Sequence, residues 1–308
     1  MKKAALLLKK SSTYLIFLLL VLVCIILSPD FFTPVNIMNI GRQYAGTIIV
    51  SMGMLFVILT GGIDLSVGSI VAVGSVVISL CLDSGLGMLA AVIFTLAVGF
   101  ACGLVTGVLV AYTKMAPFIA SVAMMTMARG AAFVISNGSP IQTPKDTIGL
   151  LGRGSVGVVP TLVVIAAIVV AVFWFVQNYT TFGRLVIAIG SNESAVDLAG
   201  IRVKLYKVGV YAISGVCCAV GGILICSRTA TGSPVIGTGL ELDGIASCVI
   251  GGASLAGGEG AVLKTVIGVL ILALIGNVMN LLSVPSYPQD IIKGAIIVAA
   301  VLMQKLSS

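Results

Sequence analysis

The sequence of 308 residues contains no histidine, one tryptophan and very few charges, only 9% of the chain being Asp, Glu, Lys or Arg. Each shortage excludes something. A soluble domain carries about 25% charged residues, so no water-facing surface can be built from this composition. Without histidine, and with no CxxC pair among the seven cysteines, neither a zinc nor a haem site has its usual ligands. No HExxH and no GxSxG occurs, which removes the common zinc-hydrolase and serine-hydrolase constellations and ranks an intramembrane enzyme last among the readings.

What the chain has in abundance is apolar sequence and glycine. Hydrophobic residues make up 59% and the mean hydropathy is +1.23, so lipid is the solvent for most of the protein. The cysteines (24, 81, 102, 217, 218, 226 and 248) all fall in or beside apolar runs, where they serve as small packing residues rather than disulfide partners. Runs punctuated by Gly, Pro and charge give ten expected spans at 13–28, 39–60, 64–82, 87–112, 116–136, 159–177, 207–228, 241–256, 261–282 and 289–305. The fold expected is therefore all-α and integral to the membrane: one bundle of about ten transmembrane helices in a single domain over 1–308. The opening run could pass for a signal peptide. No small-x-small cleavage site follows it, and an uncleaved first span is expected.

The net charge of +7 could suggest nucleic acid, but the positives sit in short connections, where they orient a membrane protein. With both termini in the cytoplasm, Lys2, Lys3, Lys9, Lys10, Lys114, Arg184, Arg202, Lys204, Lys207, Lys264 and Lys305 fall inside. Lys145 and Arg153 fall on an outer loop, with Arg42, Arg228 and Lys293 near outer span ends. Two connections are long: 137–158, expected outside, and 178–206, expected in the cytoplasm. Gly99, Gly103 and Gly107 recur every four residues and predict a close helix–helix face. Ile63-Asp64-Leu65 and Leu242-Asp243-Gly244 open two oppositely directed spans, a short echo of the inverted repeats found in transporters.

Four polar residues stand out against this background. Asp64, in Gly61-Gly62-Ile63-Asp64-Leu65-Ser66-Val67-Gly68, marks a broken helix or tight turn. It caps the following helix through the amide of Ser66 or Val67, lines a pathway, or does both. Arg129 lies inside the fifth apolar run and must find carbonyl or carboxylate partners, as a structural clamp or a substrate contact. Glu241 and Asp243 lie together at the outer end of the eighth span, where capping and sugar or partner contacts outrank acid–base work. Together the four also admit an ion- or proton-coupled secondary carrier. Gly258-Glu259-Gly260-Ala261-Val262-Leu263-Lys264-Thr265 resembles a phosphate loop, but Leu263 stands where that motif requires glycine. No Gly-Lys dipeptide occurs anywhere, so ATP is not expected on this chain.

Residues 191–200 predict a short separate helix. Ser191 or Asn192 can cap it, Glu193 suits the first-turn dipole, Ala195, Leu198 and Ala199 form an apolar stripe, and Gly200 ends it. Two turns do not persist alone in water, so this helix must dock, on its own bundle or on another protein.

The segments GGIDLSVGSI (61–70), TFGRLVIAIGSNESAVDLAGI (181–201), GLELDGIASCVIGGASLAGGEG (239–260) and PSYPQDIIKGAIIVAAVL (285–302) closely resemble the ribose-type permease family of ATP-binding-cassette importers, in the same order along nearly the whole chain. The resemblance implies a multi-pass protein of the bacterial cytoplasmic membrane that translocates a small sugar. It implies three partners: a cytoplasmic ATPase that binds ATP and Mg, a periplasmic or lipid-anchored sugar-binding protein, and a second permease copy or paralogue. It also implies that the inner loop, from Gly183 through Asn192, Glu193, Ala195, Leu198, Ala199 and Gly200, carries the coupling helix that seats in the ATPase.

Overall fold

The computed structural model describes residues 2–144 and 148–307. Lys145, expected on an outer loop, lies outside the described residues. Those residues form thirteen α-helices: α1 (Lys2–Leu27), α2 (Pro34–Leu59), α3 (Val67–Asp83), α4 (Met88–Tyr112), α5 (Pro117–Ile135), α6 (Gly149–Arg153), α7 (Thr161–Tyr179), α8 (Thr181–Ser191), α9 (Glu193–Leu198), α10 (Val203–Thr229), α11 (Leu240–Ile250), α12 (Val262–Leu281) and α13 (Ser286–Ser307). Four two-residue strands, β1 (Ile141–Gln142), β2 (Ser155–Val156), β3 (Val159–Pro160) and β4 (Thr231–Gly232), pair as two antiparallel ladders, β1 with β4 and β2 with β3.

Among the described residues six helices, α2, α4, α5, α7, α10 and α12, are long and apolar enough to cross a membrane, and the chain is an integral membrane protein. Every expected span coincides with a helix, but not every helix reaches the expected length. The segment 241–256 is realised as the 11 residues of α11, about 16 Å of helix against a hydrocarbon core of ~30 Å. The helix stops at Ile250 because Gly251 and Gly252 follow, and Gly252 adopts φ +86°, which only glycine enters without cost. The third expected span likewise starts late, at Val67 rather than residue 64.

The long connections are structured. Residues 137–158 hold β1, α6 and the first strand of a hairpin that turns at Gly157 and Val158. Residues 178–206 hold α9 and, in front of it, α8. The charges around α8 masked it in the sequence, although Gly183, Val186 and Ile189 give it a buried stripe. Thr180 opens it, its Oγ1 accepting from the Gly183 amide at 3.2 Å.

Burial separates central helices from peripheral ones. The hydrophobic window of α2 is 78% buried and that of α10 67%, against 22% for α4 and α7. A continuous core runs from Ala45 to Leu59 on α2 through Val67–Val77 on α3 to Val210–Leu224 on α10. The outer helices turn Leu, Ile and Phe outward, among them Leu89, Ile93, Phe118, Phe133 and Phe175, the surface a bilayer requires. A separate smaller cluster, Cys24, Phe31, Ile40, Ala273, Leu274 and Val278, fastens α1 to α2 and α12.

The glycine face of α4 packs on α10 backbone to backbone. A Cβ at Gly99 would lie 2.6 Å from Ala219 Cβ, one at Gly107 2.9 Å from Val208 Cα, and one at Gly103 would strike the carbonyl oxygen of Tyr211. Without a hydrophobic drive between helices in lipid, such close approach supplies the association energy. We expect Gly103→Val to force α4 and α10 apart, costing about 1–3 kcal/mol and lowering the melting temperature of the detergent-purified protein. Gly130→Ala, where nothing lies within 4 Å of an added Cβ, should leave it unchanged.

Candidate functional site

Two non-helical segments enter the bundle. The first is 60–66. After Leu59 the amides of Gly61 and Gly62 turn back onto the carbonyls of Ile58 and Val57, at 2.8 and 3.1 Å. Gly62 lies beneath Tyr211, whose phenol oxygen would be 2.6 Å from an added Cβ. Asp64 is fully buried. Its Oδ1 accepts from the Ser66 amide at 3.0 Å and from the Ser66 hydroxyl, and its Oδ2 accepts from the Ser214 hydroxyl of α10 at 3.0 Å. The carboxylate therefore holds the turn that leads into α3, through Ser66 rather than Val67, and ties that turn to α10. The residue immediately before α3 is Ser66, whose own side chain makes no capping bond. Ser214 carried no signal in the sequence, being one hydroxyl among many in an apolar helix.

The second segment is 230–239, between α10 and α11. It begins as β4, with Thr231 opposite Gln142 and Gly232 opposite Ile141. Gly232 lies against Ser75 and Ser79 of α3, and the Ser233 amide donates to Ser75 Oγ at 3.3 Å. Further on, Gly237 reaches the first turn of α3, where a Cβ on Gly68 would strike the Gly237 carbonyl and the Glu241 carboxylate. From Ser79 to Gly68 the segment follows α3 for about 16 Å. It dives into the bundle rather than crossing its end.

Arg129 holds this segment from α5. Its Nη1 donates to the carbonyl of Pro234 and, at 2.9 Å, to that of Ile236, the carbonyl partners a guanidinium at membrane depth needs. Glu241 lies within electrostatic reach of Arg129. Val235, between the two anchored carbonyls, and Thr238, between them and α11, are exposed. Asp243 is drawn elsewhere, pairing with Lys293 of α13 at 3.5 Å. The structure thus sets Arg129 of α5 and Glu241 of α11 beside one segment, gives Asp64 a separate set of hydroxyl and amide partners, and assigns Asp243 to a link between α11 and α13. Among the described residues no group of His, Cys, Asp or Glu is arranged to hold a metal ion.

The short helix expected over 191–200 is α9. Of the two cap candidates Asn192 serves, its Oδ1 accepting from the Ala195 amide at 3.0 Å, and Gly200 follows the helix at φ +80°. Glu193 in the first turn pairs with Lys207 Nζ at 2.6 Å. Ala195, Leu198 and Ala199 all face outward, Leu198 at 89% exposure. The apolar stripe is therefore not used to pack the helix on its own bundle. Gly183 lies two helical turns earlier, wedged against Gln177 at the α7–α8 corner. Gln177 escaped the sequence reading. It is buried, and its amide donates to the Gly260 carbonyl and accepts from the Val262 amide, both at 2.9 Å.

Comparison with known proteins gives this arrangement its class. Residues 36–301 match the family model described as the permease component of the branched-chain amino acid transport system. The chain is 44% identical over 289 residues to the ribose import permease protein RbsC of Escherichia coli strain K12, covering 92% of this chain and 90% of the relative. It is 39% identical over 290 residues to RbsC of Bacillus subtilis strain 168, covering 94% and 90%. It is 36% identical over 285 residues to the D-allose transport system permease protein AlsC of Escherichia coli strain K12, covering 92% and 87%. No solved structure gives a significant match. These likenesses set aside the ion-coupled carrier and the intramembrane enzyme: the chain belongs to the ribose-type permease family of ATP-binding-cassette importers and is a multi-pass permease subunit of the bacterial inner membrane.

Proposed function

We propose that this permease carries a small ribose-like monosaccharide inward, driven by ATP hydrolysed on a separate subunit. The sugar is supported by relatives named for ribose and allose import that align with 92% of the chain. The observation that carries the pathway is the non-helical segment 230–239 inside the bundle, held from α5 by Arg129, exposed at Thr238 and followed at once by Glu241 of α11. Such backbone is tolerated only where protein or a water-filled cavity covers it. The segment, exposed at Thr238 and flanked by the half-buried Arg129 and Glu241, faces a wet passage, and a second copy of the permease completes its far wall. A neutral polyhydroxyl solute suits a lining that offers both donors and acceptors. Asp64 and Asp243 support the passage from behind.

The proposed topology has ten spans with both termini cytoplasmic and 137–158 outside, where a sugar-binding protein docks. Basic residues support that orientation. The contact of the two inserted segments at Gly68 and Gly237 supports an inverted pair. α9, with its uncovered stripe, seats in the ATPase, which holds the ATP and Mg.

Three outcomes follow. In a cysteine-free background, a single cysteine at Ser139 should react with an impermeant thiol reagent in intact cells; reaction only after lysis would reverse the proposed orientation. Arg129→Leu removes the donor to the part-buried Pro234 and Ile236 carbonyls at a cost of about 1–3 kcal/mol and should lower sugar uptake at least about tenfold. Arg129→Lys, which keeps one donor, should lose only a few-fold; near-normal uptake in both would remove Arg129 from the passage. Ala195→Glu should leave membrane insertion intact and abolish co-purification of the ATPase, and retained co-purification would remove α9 as its seat.

A further inference from the structure

The stretch 251–261 between α11 and α12 is built almost wholly of small residues and meets two other parts of the chain largely through backbone. The Gly258 amide donates to the Leu59 carbonyl, the last of α2, at 3.0 Å. A Cβ on Gly257 would lie 2.8 Å from the Gly61 amide nitrogen and 3.0 Å from Gly190 Cα. One on Gly258 would lie 2.9 Å from Ser191 Cα, and one on Gly190 would be 2.5 Å from the Gly258 nitrogen and strike the Leu59 carbonyl. Gly257 and Gly258 take φ +95° and +76°, so no other residue fits there without strain. Three segments therefore meet at one point nearly backbone to backbone, with only the Ser191 hydroxyl beside Gly258: the end of α2 with its turn, the end of α8, and the 257–258 corner.

Each of the three is held from elsewhere. Gln177 clamps Gly260 and Val262 to the end of α7. Phe182 of α8 stacks between Phe56 of α2 and Tyr206 of α10, with centroids at 6.3 and 5.7 Å. On the far side, 60–66 leads directly to Asp64 and its bond to Ser214. At the other end, Ser191 is followed at once by Asn192, the cap of α9.

We infer that this junction is the transmission element of the permease. It carries displacement of α8 and α9 to the 60–66 turn and hence to α3, against which the pathway segment 230–239 lies. The inference rests on the proposed seating of α9 in the ATPase. Its physical basis is that closely packed backbone has no rotamers to absorb a push, so a shift at Ser191 must be shared by Gly258 and Leu59. Gln177 is a positioning residue, keeping the 257–262 corner stiff enough to transmit. No atom of the junction need touch the sugar.

The test uses the whole complex, permease with its ATPase and sugar-binding protein in proteoliposomes, with labelled D-ribose as solute. Gly258→Ala places a methyl against Ser191, and Gln177→Ala removes both clamping bonds. In each, the ATPase should co-purify as in wild type and hydrolysis should persist, while ribose imported per ATP hydrolysed falls about fivefold or more, the low end of measured couplings between distant sites. Gln177→Glu keeps the acceptor for the Val262 amide and should recover part of that loss. If Gly258→Ala does not assemble, the two Gln177 variants decide the matter alone. Wild-type ribose per ATP in assembled Gln177→Ala overturns the inference while leaving α9 docking untouched. Retained co-purification in Ala195→Glu overturns it from the other side, by removing the seat on which it rests.

Discussion

Backbone amides and carbonyls at membrane depth must be satisfied without water, each unsatisfied group costing several kcal/mol. Most of this structure is the consequence of two places where the chain declines the simplest answer, a continuous helix. Residues 60–66 and 230–239 are non-helical, so every neighbouring element is recruited to cover them. Asp64 supplies acceptors to the first, and Arg129 supplies donors to the second. Gly68 and Gly237 let the second lie against α3. α3 lies along the second segment and α10 holds the first through Ser214, and both belong with α2 to the buried core.

This arrangement explains why the charged residues are few and how Arg129, Asp243 and Asp64 are engaged. A lone charge in hydrocarbon is expensive. Arg129 is distributed over two carbonyls, Asp243 meets Lys293, and Asp64 is met by hydroxyls and an amide rather than by a cation. Hydroxyl partners leave a carboxylate bound at several points without a long side chain, which suits a turn that must stay narrow beneath Tyr211.

Much of the fold was legible in the sequence because hydropathy and glycine spacing speak directly in lipid. The α4 face of Gly99, Gly103 and Gly107 could be read from its period alone, and Asn192, Glu193 and Gly200 bracket α9 with ordinary capping chemistry. The shortness of α11 was missed although Gly251-Gly252 marks a stop, because Ala253, Leu255 and Ala256 extend the hydropathy beyond the helix end that Gly252 sets. α8 was hidden by the charges around it. Arg129 announced its need for partners but not their identity, because carbonyls 105 and 107 residues away leave no local trace. Gln177 and Ser214 were illegible for a related reason: their importance lies entirely in what long-range folding brings to them.

The isolation of α1 has a consequence for how the protein is made. Its apolar residues pack in a small cluster with α2 and α12, and Thr13 donates to a carbonyl 237 residues further along, on Ile250. At ribosomal speeds of 5–20 residues per second, that partner emerges roughly ten to fifty seconds after α1 does. During that interval α1 resides in the bilayer with only its contacts to α2 available, while Leu15, Leu18, Leu19, Leu22 and Ile26 stay exposed, as they remain in the finished fold. Its leucine-rich surface is thus suited to waiting: soluble in the membrane from the outset, and docked when the last third of the chain arrives.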